Sequence, residues 1–394
     1  MTASPLPPPS PRPAAGASGR SLIRGILGLL PFLAGGAAVG AGTAYFGLEW
    51  MPDIGVWAIV AFFISMWPNL VLHEAGHAVA GVARGMDLVA FGIGPLRLER
   101  GSQGHWRMRN GGGRGMAGFA AMFPRVGREP GRLDQALVLA GGPLANLATA
   151  ALVLWLAGLP AATPWASGMA TGFGLSALVL GVGNLLPINS DGWRSDGMGL
   201  LDLVRDSPHA ALQQQVNQMV ALSVAGVRPR LWPAALVPNT TPDGSNLLLA
   251  ASADSLRLNH AMDSGDARSA ARAAEDLARR YADLPEAIQP AIAVSLAGYA
   301  ALITRDVRQL RAWRAHCGGR SLLDLTPYLN WLDAELAMLE GKLVAAKTGV
   351  DEARDSLSLV HDAAGALMLD EYLHALEQRL LDANACPSAG TAAG

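Results

Sequence analysis

Apolar positions in this chain fall into two regimes. The front half has long unbroken apolar runs, and the back half has short runs at helical spacing. Ile26 to Leu48 is 23 residues without a formal charge. A second run begins at Ile54, stays uncharged for 19 residues and continues to about Val82. A third stretch, Gln135 to Ser190, is 56 residues without a formal charge. Pro160 to Pro164 divides it into segments of about 135–159 and 166–189. About 20 apolar residues cross a bilayer core, so the pattern predicts four spans. A signal peptide is the competing reading of the first run, which is long for one and lacks a clear cleavage signature.

Between the second and third spans the pattern changes. Val89 to Leu98 alternates apolar residues with Gly and Pro, and Gly115 to Phe123 is apolar but too short to span. These read either as strands or a re-entrant hairpin lining a cavity, or as surface loop. Beyond 244, apolar residues recur at helical spacing through 245–262, 266–281, 286–304, 307–316, 325–340, 343–360 and 365–383. Polar turns near Asp266, Asp306 and Lys342 punctuate them. That period suits a tetratricopeptide-like repeat or an irregular helical bundle. The expected fold class is therefore mainly α: a polytopic membrane helix bundle followed by a soluble α-helical domain. The expected divisions are a disordered tail at 1–20, a membrane core at 21–205, a linker at 206–244, a helical domain at 245–385 and a short tail at 386–394.

Composition sharpens this picture. The chain is 51% hydrophobic and 16% charged, with a mean hydropathy of +0.26, which favours a membrane protein. Residues 1–196 carry 13 Lys and Arg against 9 Asp and Glu, and residues 197–394 carry 17 against 23. Neither half is basic enough for a nucleic-acid binder. Two cysteines, Cys317 and Cys386, exclude a disulfide scaffold and a cysteine zinc finger. Arginines crowd the N-terminal tail and the 84–132 loop, whereas the turns near 49–53 and 160–165 have none. By the positive-inside rule the N-terminus, that loop and the C-terminal domain are expected to be cytoplasmic.

The chemistry lies in His73-Glu74-Ala75-Gly76-His77, inside the second span. Two histidines at i and i+4 face one side of a helix. That geometry suits two imidazoles on one zinc, with the intervening Glu acting on a bound water. Three ionisable residues in an apolar helix are costly unless paired or bound to a metal. A catalytic zinc takes three protein ligands and keeps an open position. Asp191 and Asp196, each followed by Gly just after Pro187, are both candidates for the third ligand. Asp196 also suits a cap on the helix that follows. The other histidines (His105, His209, His260, His316, His361 and His374) have no ligand-like spacing and read as surface or packing residues.

With Gly142-Pro143-Leu-Ala-Asn146 in the third span and Asn184-Leu-Leu-Pro187 before the Asp-Gly pairs, the sequence resembles the site-2 protease family of intramembrane zinc metalloproteases. The resemblance covers about residues 54–205. It implies zinc held by His73, His77 and an Asp-Gly aspartate, with Glu74 as catalytic base. It further implies that Asn146 and Asn184 position the substrate strand or steady the transition state. The spacing after Asn184 departs from the better-known Leu-Asp-Gly form. Ser195-Asp196-Gly197 looks like the long-loop bacterial form, which points to Asp196, with Asp191 the other candidate.

The expected activity is zinc-dependent peptide-bond hydrolysis within or next to transmembrane segments, as in regulated intramembrane proteolysis. Expected partners are a membrane-protein substrate, membrane lipid and a cytoplasmic protein bound by the helical domain, with no nucleic acid. The expected location is the cell membrane. A non-proteolytic membrane scaffold is the alternative.

Overall fold

The computed structural model describes residues 52–385 apart from 95, 111–117, 160–162, 191–192, 242–244, 320 and 322. The expected first span, both terminal tails and Asp191 lie outside the described residues. Among the described residues, three helices are long and apolar enough to cross a membrane. They are α1 (Pro52–Ala83), α2 (Arg132–Ala157) and α3 (Pro164–Leu185). Pro164 opens α3 at its first turn, where a missing N–H costs nothing.

Burial along α1 follows one stripe: Ala58, Ala61, Ser65, Asn69 and His73. Steps of three and four keep these on one helix face, and that face meets α2 and α3. Val56, Ile59, Phe63, Ile64 and Trp67 point outward and are exposed, as expected where lipid is the solvent. Small residues bring the backbones close: Gly76 abuts Gly141, and Gly172 abuts Ala58.

The region between α1 and α2 folds as a sheet. Strands β1 (Met86–Ile93), β2 (Leu96–Arg100), β3 (Trp106–Asn110) and β4 (Gly118–Pro124) pair antiparallel in the order β3-β2-β1-β4. The two apolar stretches of the sequence become β1–β2 and β4, whereas β3 carried no such pattern. The sheet lies back along α1: Met122 packs on Gly81, and Gly94 sits beside Trp67. In β2 the pattern is inverted, with Leu96 and Leu98 exposed and Arg97 and Glu99 buried.

A two-stranded turn, β5 (Asn189–Ser190) with β6 (Trp193–Arg194), leads into α4 (Asp196–Arg205). Residues 206–244, read from sequence as a connector, contain α5 (Pro208–Val224) and two short 3-10 turns. Ser207 caps α5 and Pro208 opens it. Its apolar face, Leu212, Val216 and Met219, buries Trp232 and Leu249. Arg228 adds ion pairs to Asp263 and Glu371.

Seven helices follow: α6 (Leu247–Asp263), α7 (Ala267–Tyr281), α8 (Gln289–Tyr299), α9 (Val307–Arg314), α10 (Thr326–Leu339), α11 (Leu343–Ser356) and α12 (Ala363–Ala385). Asp266 and Asp306 stand at two of the expected turns and cap α7 and α9. One core joins these helices, built on Leu258, Leu277, Leu296, Leu310, Trp313, Leu332, Leu369 and Leu376. Tyr281 meets Trp313 edge to face with ring centroids 5.2 Å apart.

Cys317 lies in this core, and burial pushes its thiol up to about 12. The thiolate is the reactive form, so native Cys317 is expected to resist alkylation at pH 8. In a Cys386→Ser background, iodoacetamide should label the chain only after unfolding. Rapid labelling of the native protein would contradict the packing described.

Candidate metal centre

Three side chains from two distant segments converge beside α1. His73 Nε2 lies 3.1 Å from Asp196 Oδ2, His77 Nε2 lies 3.4 Å from the same oxygen, and the two Nε2 atoms are 3.2 Å apart. His73 is 4% exposed, and Asp196 and His77 are partly buried. This is a group of three potential metal ligands with the donor atoms mutually close.

The local sequence explains how Asp196 gets there. Ser195, rather than Asp196, caps α4: its Oγ accepts from Met198 N at 3.2 Å. Ser195 Oγ also donates to Leu186 O at 2.5 Å and accepts from Ile188 N at 2.9 Å. That knot folds the chain back just after Pro187. It leaves the carboxylate of Asp196, the first residue of α4, free to turn toward the histidines. Gly197 then packs directly on the Leu185 carbonyl, where a Cβ would collide.

Each imidazole is fixed from behind. His77 Nδ1 lies 2.7 Å from Val138 O, so Nδ1–H donates and Nε2 is left as a lone-pair donor for a metal. His73 Nδ1 lies 3.2 Å from the Asn146 amide. As placed, Asn146 turns its NH2 to His73 and leaves Oδ1 buried without a hydrogen bond. Exchanging the amide O and N lets His73 Nδ1–H donate to Asn146 Oδ1. Gly142 lies directly under the pair: a Cβ there would stand 2.8 Å from His73 Nε2 and closer still to His77.

The donor set fits zinc. Tetrahedral ligands at bond lengths of about 2.0–2.1 Å stand about 3.3 Å from one another, and the three separations here are 3.1, 3.2 and 3.4 Å. Two imidazoles and one carboxylate leave a fourth position open, as catalytic sites do. Glu74 is buried beside the cluster and lies against Gly118 at the start of β4. A carboxylate next to an open metal position is placed to take a proton from water.

The other predicted site residues divide. Asn146 sits behind His73, on the side of the ring away from Asp196. Its position suits orientation of that ligand rather than contact with a substrate. Asn184 donates to Leu180 O of its own helix at 3.2 Å and is not brought into the cluster.

Sequence reasoning missed a polar cluster one turn from His73. Asn69 donates to Ser176 Oγ at 2.7 Å and to Phe173 O at 3.1 Å, and Ser65 reaches Ser176 at 2.9 Å. All three side chains are buried between α1 and α3, where such bonds fasten helices. The signal was present as Ser65, Asn69, His73 and His77, four residues apart in an apolar span.

No curated protein and no solved structure matches the chain. A family model does, over residues 58–236, and its description is peptidase family M50. The matched stretch holds α1 from residue 58 onward, the sheet, α2, α3 and Asp196, so the His73, His77 and Asp196 cluster falls inside it. Over residues 58–236, the stretch that carries this arrangement, the chain is similar to peptidase family M50, the site-2 protease family.

Proposed function

We infer that the chain is an intramembrane zinc endopeptidase that cuts membrane-protein substrates within or next to their transmembrane segments. The observation that carries this reading is the trio of donor atoms 3.1–3.4 Å apart, with the Glu74 carboxylate beside them, two of the donors and Glu74 lying within an apolar helix of membrane-spanning length. The match of residues 58–236 to peptidase family M50 supports a membrane metalloprotease and does not favour a non-proteolytic scaffold.

In this reading His73 and His77 hold zinc through Nε2, and Asp196 holds it through Oδ2. Zinc, when bound, supplies a Lewis acid that polarises the scissile carbonyl and makes water a nucleophile near neutral pH. Glu74 takes the proton of the attacking water and delivers it to the departing amine. Asn146 and Val138 keep the two imidazoles in the tautomer and orientation that expose Nε2. A substrate helix must unwind first, because its carbonyls are engaged in i to i−4 bonds. The extended segment then pairs with β4, one of the two edge strands of the described sheet, whose first residue touches Glu74. The substrate class is a membrane-anchored protein with a helix that unwinds readily. The cell membrane is the proposed location, with the N-terminus and helical domain on the cytoplasmic side by the distribution of arginines.

Two expected outcomes test the site. Detergent-purified wild type should carry about one zinc per chain, as should Asp191→Ala, while His77→Ala and Asp196→Ala should lose it. Retention by Asp196→Ala with loss from Asp191→Ala would move the third ligand to Asp191. Asn146→Leu should weaken zinc binding by about 10–100-fold, and Asn146→Asp should weaken it less. Equal affinities for all three would refute the orienting role. For catalysis, Glu74→Gln should keep its zinc yet cleave single-span reporter proteins at least about a hundredfold more slowly. Cleavage by Glu74→Gln at the wild-type rate would remove Glu74 as the base.

A further inference from the structure

The C-terminal helical half is docked on the sheet through the turn between α11 and α12. His361 Nε2 lies 2.9 Å from Glu99 Oε2, with side-chain exposures of 18% and 6%. Ser102 N donates to Val360 O at 3.1 Å, and Arg107 reaches Ser358 Oγ at 3.4 Å. Asp362 accepts from Ser223 Oγ of α5 at 2.7 Å and from Gly365 N at 2.6 Å. The turn thus holds β2, β3 and α5 together.

Strand register carries this grip to the metal centre. Glu99 stands opposite Ala90 of β1, and Ala90 opposite Ala121 of β4. Three residues along the same ladder, Leu96 faces Ile93, and Ile93 faces Gly118. Gly118 is the residue that touches Glu74. Between these rows the Arg97 guanidinium lies over the Phe119 ring, 5.4 Å from its centroid, bridging β2 to β4 across Gly92. Leu96, Leu98, Trp106 and Met108 face outward on the other side, so the charged face is the one fastened to protein. A hairpin of two five-residue strands has little stability alone.

We propose that His361 is a positioning residue: by holding Glu99 it sets the sheet, and through β1 and β4 it keeps Gly118 against Glu74. The helical half is therefore a working part of the site, fixing the strand that presents an extended substrate to the base. This rests on the protease reading for its functional consequence, but the mechanical coupling stands on the geometry alone.

The test compares full-length wild type, His361→Ala and His361→Gln, whose amide can still donate to Glu99. Amide hydrogen exchange in detergent is read together with zinc content and cleavage of a single-span reporter. In His361→Ala, β1 and β4 amides should exchange about tenfold faster, while the amides of α1, α2 and α3 and the zinc content stay as in wild type. Its kcat should fall about tenfold with little change in KM, since a small misplacement of catalytic groups acts on the chemical step. His361→Gln should restore both. Unchanged β4 exchange in His361→Ala overturns the proposal, whatever cleavage does. So does loss of zinc from His361→Ala, because His361 would then support the whole fold rather than the sheet. If wild type cleaves no reporter, the protease reading fails separately and the exchange data still decide the coupling.

Discussion

The structure turns on one electrostatic constraint. His73, Glu74 and His77 lie in an apolar helix, where ionisable groups are expensive unless something compensates them. Compensation here has three parts. A carboxylate arrives from beyond α3, oxygen acceptors stand behind each imidazole, and the donor set suits a doubly charged ion. Each part needs a backbone to come close. Gly142 lets α2 slide under the two rings, and Gly197 lets α4 press on the end of α3. The Ser65, Asn69 and Ser176 bonds hold α3 to α1 one turn away, so the segment carrying Asp196 is anchored close to the histidines.

What could be read in the sequence follows from the range of the interactions. The His-Glu-His spacing is a property of one helix, so it was legible at once. The three described spans and the seven C-terminal helices were also legible, because long apolar runs and helical periodicity are local patterns. Asp196 was harder, since its role depends on Ser195 taking the cap and on a turn after Pro187. Asn146 was legible as a polar residue in an apolar span, but only the fold shows that it stands behind His73. The strand β3 and the buried Arg97 and Glu99 were not legible. Their alternation is reversed, with charges facing protein and leucines facing out, and that reversal makes sense only once the helical half covers one side.

The region between the spans and the domain illustrates the same point. Residues 222–244, the later part of the stretch read from sequence as a linker at 206–244, are rich in Pro, Gly and polar residues. Trp232 and Arg228 instead bind them to α5, α6 and α12. The two halves of the chain are therefore packed together through α5 and the sheet. The acidic C-terminal half and the apolar N-terminal half differ in composition because they face different surroundings, and they share a set of buried contacts where they meet. The site and the sheet beside it are thus held from two directions, by small-residue helix packing on one side and by the 357–362 turn on the other.

The most direct measurement of the central claim is zinc K-edge X-ray absorption on the purified full-length protein. The account predicts imidazole nitrogen and carboxylate oxygen at about 2.0–2.1 Å, outer-shell imidazole scattering and no sulfur. A zinc bound through sulfur, or a wild-type spectrum without imidazole scattering, would contradict it.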